Sequence, residues 1–267
     1  MSRARVLVIA GSDSSGGAGI QADLKTVSIL GGFGMTAITA LTAQNTTGVF
    51  GVLPIDPAFV IQQIDVCLSD IGFDAVKTGM LASVPLIEAI ADALQRQVTQ
   101  PVVVDPVMIA KSGAPLLADD AVGAVIRRMV PLATMLTPNL HEAERLTGRT
   151  IRTPDQIREA AQALLDLGAK AVVIKAGHRP EFEQDCFTDG RDWLTLPTKR
   201  IDTTRTHGTG CIFASAIATG LAQRMPLVDA VNRAKRFIQR AIEQALPFGA
   251  GRSPADPIAA IGTDQIM

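Results

Sequence analysis

Short apolar runs alternate with amphipathic stretches along most of the chain. The first run, Arg5 to Ala10, is apolar after its opening arginine and stops at Gly11, the pattern of a strand buried on both faces that feeds a loop. From Ala18 to Leu30, apolar Ile20, Leu24, Val27 and Ile29 are interleaved with Gln21, Asp23 and Lys25, which predicts a helix that Gly31-Gly32 terminates. The same alternation predicts further strands over Met35 to Ala40, Phe73 to Lys77, Val102 to Asp105, Thr134 to Thr137 and Ala171 to Lys175. Helices are predicted over Pro57 to Asp70, Val84 to Arg96, Asp119 to Met129, Pro154 to Leu167 behind a Thr153 cap, Gly210 to Gln223 and Val228 to Ala245. A hairpin is expected around Asp189-Gly190, between Cys186 and Leu194. The alternation implies an α/β fold with a mostly parallel sheet, helices on both faces and an antiparallel edge hairpin, with ligands gathering at the carboxyl ends of the strands. Beyond Pro247, Gly, Pro and Ala suggest a loose tail.

Length and charge narrow the function. No linker, repeat or low-complexity run divides the 267 residues, so one domain over 1–267 is expected. The 25 basic and 26 acidic residues leave a net charge of −1, which gives no footprint for nucleic acid or an anionic membrane. The chain has no Tyr and one Trp, so little aromatic surface is available to stack bases. No apolar run reaches the length of a membrane span, and the run after Arg5 is strand-length. Cys67, Cys186 and Cys211 form neither a CxxC pair nor a metal-ligand spacing, which fits a reducing, cytoplasmic setting. A small-molecule ligand is the expected partner.

The polar residues that interrupt this pattern fall just after predicted strands. Thr206-His207-Gly208-Thr209-Gly210-Cys211 precedes a helix of small apolar residues, so the free N–H groups of Gly208, Thr209, Gly210 and Cys211 form a candidate anion hole. The partial positive charge of that helix end is expected to lower the Cys211 pKa and make the thiol a base; the plainer alternative is a tight turn followed by a small core cysteine. Gly11-Ser12-Asp13-Ser14-Ser15-Gly16-Gly17-Ala18-Gly19 lets backbone N–H groups approach a ligand, yet it is neither a Walker loop nor GxGxxG. Lys77-Thr78-Gly79-Met80, Asp105-Pro106-Val107-Met108, Thr137-Pro138-Asn139-Leu140-His141-Glu142 and Lys175-Ala176-Gly177-His178 occupy other strand ends. Asp105 and Glu142 are candidate holders of a magnesium ion through water, against the alternatives of a cap before Pro106 and a first-turn helix carboxylate. Lys175 is positioned to reach nucleotide phosphates, with Asn139 at the neighbouring strand end, unless its ammonium is simply at the surface.

Several segments together resemble one family. Ile9-Ala10-Gly11-Ser12-Asp13, Ser15 to Lys25, Thr39 to Thr46, Val104-Asp105-Pro106-Val107-Met108 and His207-Gly208-Thr209-Gly210-Cys211 are similar to those of the hydroxymethylpyrimidine/phosphomethylpyrimidine kinases of thiamine biosynthesis, over roughly residues 5 to 245. The resemblance implies the ribokinase-like three-layer αβα sandwich. It also implies ATP-dependent phosphorylation of 4-amino-5-hydroxymethyl-2-methylpyrimidine and then of its monophosphate, with magnesium, in a homodimer.

Residue by residue, the resemblance puts Gln44 on the aminopyrimidine edge, where an amide offers both donor and acceptor. It puts Gly11, Ala18, Asp23, Met80 and Val107 around the substrate, and Gly208, Thr209 and Gly210 in the anion hole. Cys211 falls where most ribokinase-like enzymes have an aspartate base. The tail Pro247 to Pro254 lacks a late His found in many members, and His141 stands at a variable position without a role. The alternatives are a pyridoxine or pyridoxal kinase on the same fold, a nucleotide-dependent dehydratase, and a non-catalytic ligand-binding regulator.

Overall fold

The computed structural model describes residues 3–109, 116, 120–176, 182, 184–197 and 200–261. Asp119, where a helix was expected to begin, and Gly177-His178 lie outside them.

Nine strands form one sheet in the order β3-β2-β1-β4-β5-β6-β7-β8-β9. They are β1 (Arg5–Asp13), β2 (Phe33–Asn45), β3 (Gly48–Pro54), β4 (Ala75–Thr78), β5 (Val102–Val104), β6 (Met135–Leu136), β7 (Val172–Ile174), β8 (Gln184–Thr188) and β9 (Trp193–Pro197). β2, β1, β4, β5, β6 and β7 pair in parallel, whereas β3 pairs antiparallel with β2, and β8 and β9 close the other edge as an antiparallel hairpin.

Strand periodicity explains the two faces. Along β1, Leu7 and Ile9 point to one face and Val6, Val8 and Ala10 to the other, each buried in a separate apolar cluster. The first face is covered by α2 (Pro57–Asp70), α3 (Val84–Gln97), α4 (Ala121–Ala124), α5 (Leu140–Thr147) and α6 (Pro154–Asp166). The second is covered by α1 (Gly19–Ile29), α7 (Thr209–Ala222) and α8 (Leu227–Glu243). The result is the three-layer αβα sandwich that the resemblance implied, built on the mostly parallel sheet that the pattern predicted.

α7 is buried from Ile212 to Gly220, because its small side chains let other elements close on every side. At Gly220 an added Cβ would stand 2.8 Å from the Ala230 Cβ of α8, so the two helices touch nearly backbone to backbone. A helix held this firmly gives its N-terminus a fixed position.

The structure differs from expectation in four places. The edge strand β3 went unread because its two glycines, terminal proline and mostly exposed side chains leave no apolar alternation. α5 was read only as a helix start at Glu142. The expected helix before Met129 consists of the short α4 followed by a π-helical turn, Val125–Met129. The tail after Pro247 is docked, not loose: Gly251 N–H donates to Thr46 Oγ1 at 3.2 Å, Arg252 N–H to the Thr46 carbonyl at 2.8 Å, and Ala255 N–H to the His207 carbonyl at 3.1 Å. Composition had suggested flexibility, whereas main-chain hydrogen bonds to distant segments fix the path.

Candidate active site

Chain order creates the crevice. From central β1 the chain moves to β2 and β3 on one side, then returns to form β4 on the other, so connections diverge at the carboxyl ends of β1 and β4. Such switch points are where open α/β sheets bind ligands. β1 ends in Gly11-Ser12-Asp13, β4 in Lys77-Thr78, and Asp105 follows β5.

The glycine loop after β1 meets α7 through backbone contact that only glycine permits. Gly208, at the N-cap of α7, has φ +77°, and a Cβ there would lie 1.9 Å from the Gly17 carbonyl oxygen. Gly19 has φ +55°, and a Cβ would lie 2.3 Å from the Gly11 carbonyl oxygen. Among the described residues no side chain caps α7; Thr209 N–H donates to the Thr206 carbonyl at 3.5 Å, which leaves the first-turn N–H groups of Gly210 and Cys211 available to an anion. Thr209 Oγ1 turns away from this turn and donates to the Thr206 carbonyl at 3.1 Å.

Beneath that turn lies a buried charge pair. Lys77 Nζ is 2.9 Å from both oxygens of Asp23, both residues are fully buried, and Ser215 Oγ donates to Asp23 Oδ1 at 2.7 Å. Burial works to lower the Lys77 pKa, yet the charges of Asp23 and Asp105 raise it, so the ammonium stays charged. This corrects the expected pocket role of Asp23: its carboxylate is spent on Lys77 and Ser215 and has no open face toward a substrate. Lys77 is the residue the sequence reading underrated, although a lysine at the core of the run Ala75-Val76-Lys77 was itself a signal.

Cys211 also departs from expectation. Its thiol is pushed up to about 12, first by burial and then by Asp23 and Asp105, while Lys77 and the Gly19 N–H pull it down. The helix end is worth less than desolvation beside two carboxylates. The thiol is therefore protonated in the ligand-free protein.

On one side of α7 are the residues expected at the nucleotide end. Lys175 Nζ pairs with Asp105 Oδ1 at 3.0 Å, and Thr137 Oγ1 donates to the same oxygen at 3.1 Å. A Cβ on Gly210 would lie 3.3 Å from both Asp105 Oδ2 and Lys175 Nζ, which places this pair directly under the first turn of α7. Asn139 and Glu142 form the capping box of α5: Glu142 N–H donates to Asn139 Oδ1 at 2.9 Å and Asn139 N–H to Glu142 Oε2 at 2.8 Å. Glu142 is buried and close enough to raise the Lys175 pKa against the effect of burial.

Among the described residues no cluster of three His, Cys, Asp or Glu is placed to hold a metal. Asp105 and Glu142 suit an ion that keeps its waters and takes most remaining ligands from phosphates, the usual habit of magnesium. No hydrogen bond engages Asp105 Oδ2 among the described residues, and this is the carboxylate oxygen nearer to Gly210.

On the other side are the residues expected around the substrate. The Met80 sulfur would be 3.1 Å from a Cβ on Gly11, so Gly11 leaves the space that Met80 fills, and the Met80 carbonyl accepts from Thr39 Oγ1 at 2.7 Å. Ala18 adjoins Gly208, its N–H donating to Asp13 Oδ2 at 2.8 Å, and half-buried Val107 donates its N–H to the Asp105 carbonyl at 2.8 Å. Gln44, at the far end of β2, places its side-chain amide 3.3 Å from His207 Nε2. Asp13 is buried; burial works to raise its pKa, but hydrogen bonds from His207 and Ser15 hold it at about 2. His207 was quoted in the motif but given no role.

The comparisons with known proteins give the family. A family profile described as Phosphomethylpyrimidine kinase matches residues 13–256. The thiamine biosynthesis bifunctional protein ThiED of Geobacter sulfurreducens is 52% identical over 97% of this chain, which spans 53% of that longer protein. The hydroxymethylpyrimidine/phosphomethylpyrimidine kinase of Bacillus subtilis is 45% identical, with 97% of this chain and 96% of that one covered. Among solved structures, an ADP complex of Bacillus subtilis pyridoxal kinase superposes with a TM-score of 0.91 at 39% identity, covering 98% of this chain and 100% of that one. With the glycine loop, the uncapped turn of α7 and the Asp105–Lys175 pair meeting at one switch point, the chain belongs to the phosphomethylpyrimidine kinase family.

Proposed function

We propose that this chain transfers the γ-phosphoryl group of ATP to the hydroxymethyl oxygen of 4-amino-5-hydroxymethyl-2-methylpyrimidine, and then phosphorylates the monophosphate to the diphosphate. The observation that carries the reading is the placement of α7. The Gly210 and Cys211 N–H groups of its first turn stand beside the Asp105–Lys175 pair, while Gly208 at its N-cap adjoins the glycine loop and His207, which reaches Gln44. Charge developing on the phosphoryl oxygens falls where fixed N–H dipoles already point, so little reorganisation is needed during transfer.

Lys175 and Asn139 hold the nucleotide end, and Asp105 with Glu142 is the place for magnesium. Bound there, magnesium supplies countercharge to the phosphoryl oxygens. Cys211 is assigned as the proton acceptor for the hydroxymethyl group, which requires its thiol to ionise in the loaded site. Lys77 and the Gly19 N–H are the groups that favour this. Met80, Val107, Ala18 and Gly11 shape the substrate end.

A product assay with ATP, magnesium and the pyrimidine alcohol, resolving monophosphate from diphosphate, tests the reading. Monophosphate should appear first and diphosphate after it. An enzyme that forms no diphosphate from supplied monophosphate refutes the two-step activity. Phosphorylation of pyridoxal is the second reading, favoured by the close superposition on a pyridoxal kinase, and the same assay with pyridoxal decides it. We also place the chain in the cytoplasm and read it as a homodimer. Leu41, Phe50, Val52 and Leu53 on the β2–β3 ribbon are exposed apolar side chains that a second copy would cover, and sedimentation of the purified chain measures this.

A further inference from the structure

Asp13 accepts four hydrogen bonds: Ser15 N–H (2.9 Å) and Ser15 Oγ (2.8 Å) on Oδ1, and Ala18 N–H (2.8 Å) and His207 Nε2 (2.7 Å) on Oδ2. An ionised carboxylate only accepts, so His207 Nε2 carries a proton and donates it. The His207 backbone is pinned on both sides by the docked tail, its N–H donating to the Ser253 carbonyl and its carbonyl accepting from Ala255 N–H, each at 3.1 Å. The ring is also packed against the loop, since a Cβ on Gly17 would meet its Cδ2 at 2.5 Å.

His207 Nε2, whose one proton is given to Asp13 and which has no lone pair left to accept with, lies 3.3 Å from the end of the Gln44 side chain. With the amide nitrogen on that side, two donors oppose each other. At the other end of the amide, Thr42 Oγ1 is 3.3 Å from Gln44 and 3.0 Å from the Ser12 carbonyl. A hydroxyl has one proton, and the Ser12 carbonyl, which can only accept, takes it. Thr42 Oγ1 is left as an acceptor facing the amide. A half-turn of the amide removes the opposed N–H groups at His207, where Oε1 then shares only weakly in the proton that Asp13 holds, and turns the NH₂ toward the accepting Thr42 Oγ1. The two orientations have nearly the same shape, so hydrogen bonding and not packing selects between them.

We propose that Asp13 and His207 are positioning residues that lock the Gln44 amide in this orientation, and so fix the order of donor and acceptor that the substrate ring must match. The proposal rests on the reading that Gln44 meets the ring. In the locked state Oε1 has a second lone pair for an exocyclic amino group, and the NH₂ has a second proton for a ring nitrogen. A 4-aminopyrimidine edge matches that order. The 4-oxo analogue, with a carbonyl and a ring N–H, presents the reverse order and needs the amide turned over.

The test is the ratio of kcat/KM for 4-amino-5-hydroxymethyl-2-methylpyrimidine to that for its 4-oxo analogue. It is measured in the parent protein and in His207→Leu, His207→Gln, Thr42→Val and Gln44→Leu, with thermal unfolding to confirm folding. His207→Leu and Thr42→Val, which release the amide at opposite ends, should each lower the ratio by roughly tenfold or more, partly through faster turnover of the oxo analogue, with KM for ATP little changed. His207→Gln, which keeps an N–H donor, should retain most of the discrimination. A purely structural role slows both substrates in parallel, so an unchanged ratio in His207→Leu and Thr42→Val overturns the proposal. If His207→Leu does not fold, His207→Ala takes its place, since Thr42→Val reports only on the opposite end of the amide. Unchanged aminopyrimidine kinetics in Gln44→Leu would instead remove Gln44 from the ring, a separate result that takes away the foundation.

Discussion

Replacing Lys77 by Met removes the cation that compensates Asp23 at the centre of the protein. Both side chains are fully buried, and Nζ lies 2.9 Å from each carboxylate oxygen. At that separation and an effective dielectric of about 20, the Coulomb attraction is of the order of 6 kcal/mol, a ceiling before desolvation is counted. Removing one partner of a buried pair costs about 3–5 kcal/mol, because the other charge is stranded, against a total stability of about 5–15 kcal/mol. Burial already raises the Asp23 pKa, and loss of Lys77 removes the main group opposing that shift. An Asp with a folded-state pKa above its unfolded value is penalised at neutral pH and relieved as pH falls toward the unfolded value. The deficit of Lys77→Met should therefore shrink between pH 8 and pH 5. Lys77→Met/Asp23→Leu, which removes both charges, should recover most of the loss, leaving chiefly the stranded Ser215 hydroxyl. Urea unfolding at the two pH values, fitted for midpoint and slope, measures all of this. A single variant within about 1 kcal/mol of the parent, or a double variant no better than the single, refutes the account.

Three further outcomes are expected. Glu142→Gln keeps an oxygen for the Asn139 N–H but removes a carboxylate charge near Asp105 and Lys175, so it should need more magnesium for half-maximal rate; superimposable magnesium titrations would reduce Glu142 to a capping residue. Alkylation of the ligand-free protein should mark half-buried Cys67 ahead of Cys186, held at about 11, and Cys211, held at about 12, while Cys211→Ala should turn over roughly 10²–10⁴-fold more slowly; peptide mapping and steady-state kinetics read the two parts. Because Asp13 is held at about 2, its ionised form contributes stability that is present above the unfolded pKa of about 3.9 and lost as pH falls through 2, so the stability gap between parent and Asp13→Asn should narrow from pH 5 to pH 2 in denaturant titrations.

Local pattern determined a great deal here. The apolar runs of β1, β4, β5 and β7 and the amphipathic α2, α3, α6 and α8 follow from side-chain order, because period-two and 3.6-residue repeats leave only one way to bury each element. The glycines at 208 and 19 announced close backbone approach, and the polar residues after each strand announced where a ligand belongs. Tertiary structure decided the electrostatics. Whether a carboxylate faces a ligand or a lysine depends on what another strand brings beside it, and Asp23 meets Lys77 across 54 positions of chain. The Cys211 thiol is raised because burial and two carboxylates outweigh Lys77 and the Gly19 N–H, a balance that sequence spacing does not contain. The docked tail, the edge strand β3 and the Asp13–His207–Gln44 chain likewise depend on contacts between segments far apart in sequence, where hydrogen-bond geometry selects among options that local propensity leaves equal.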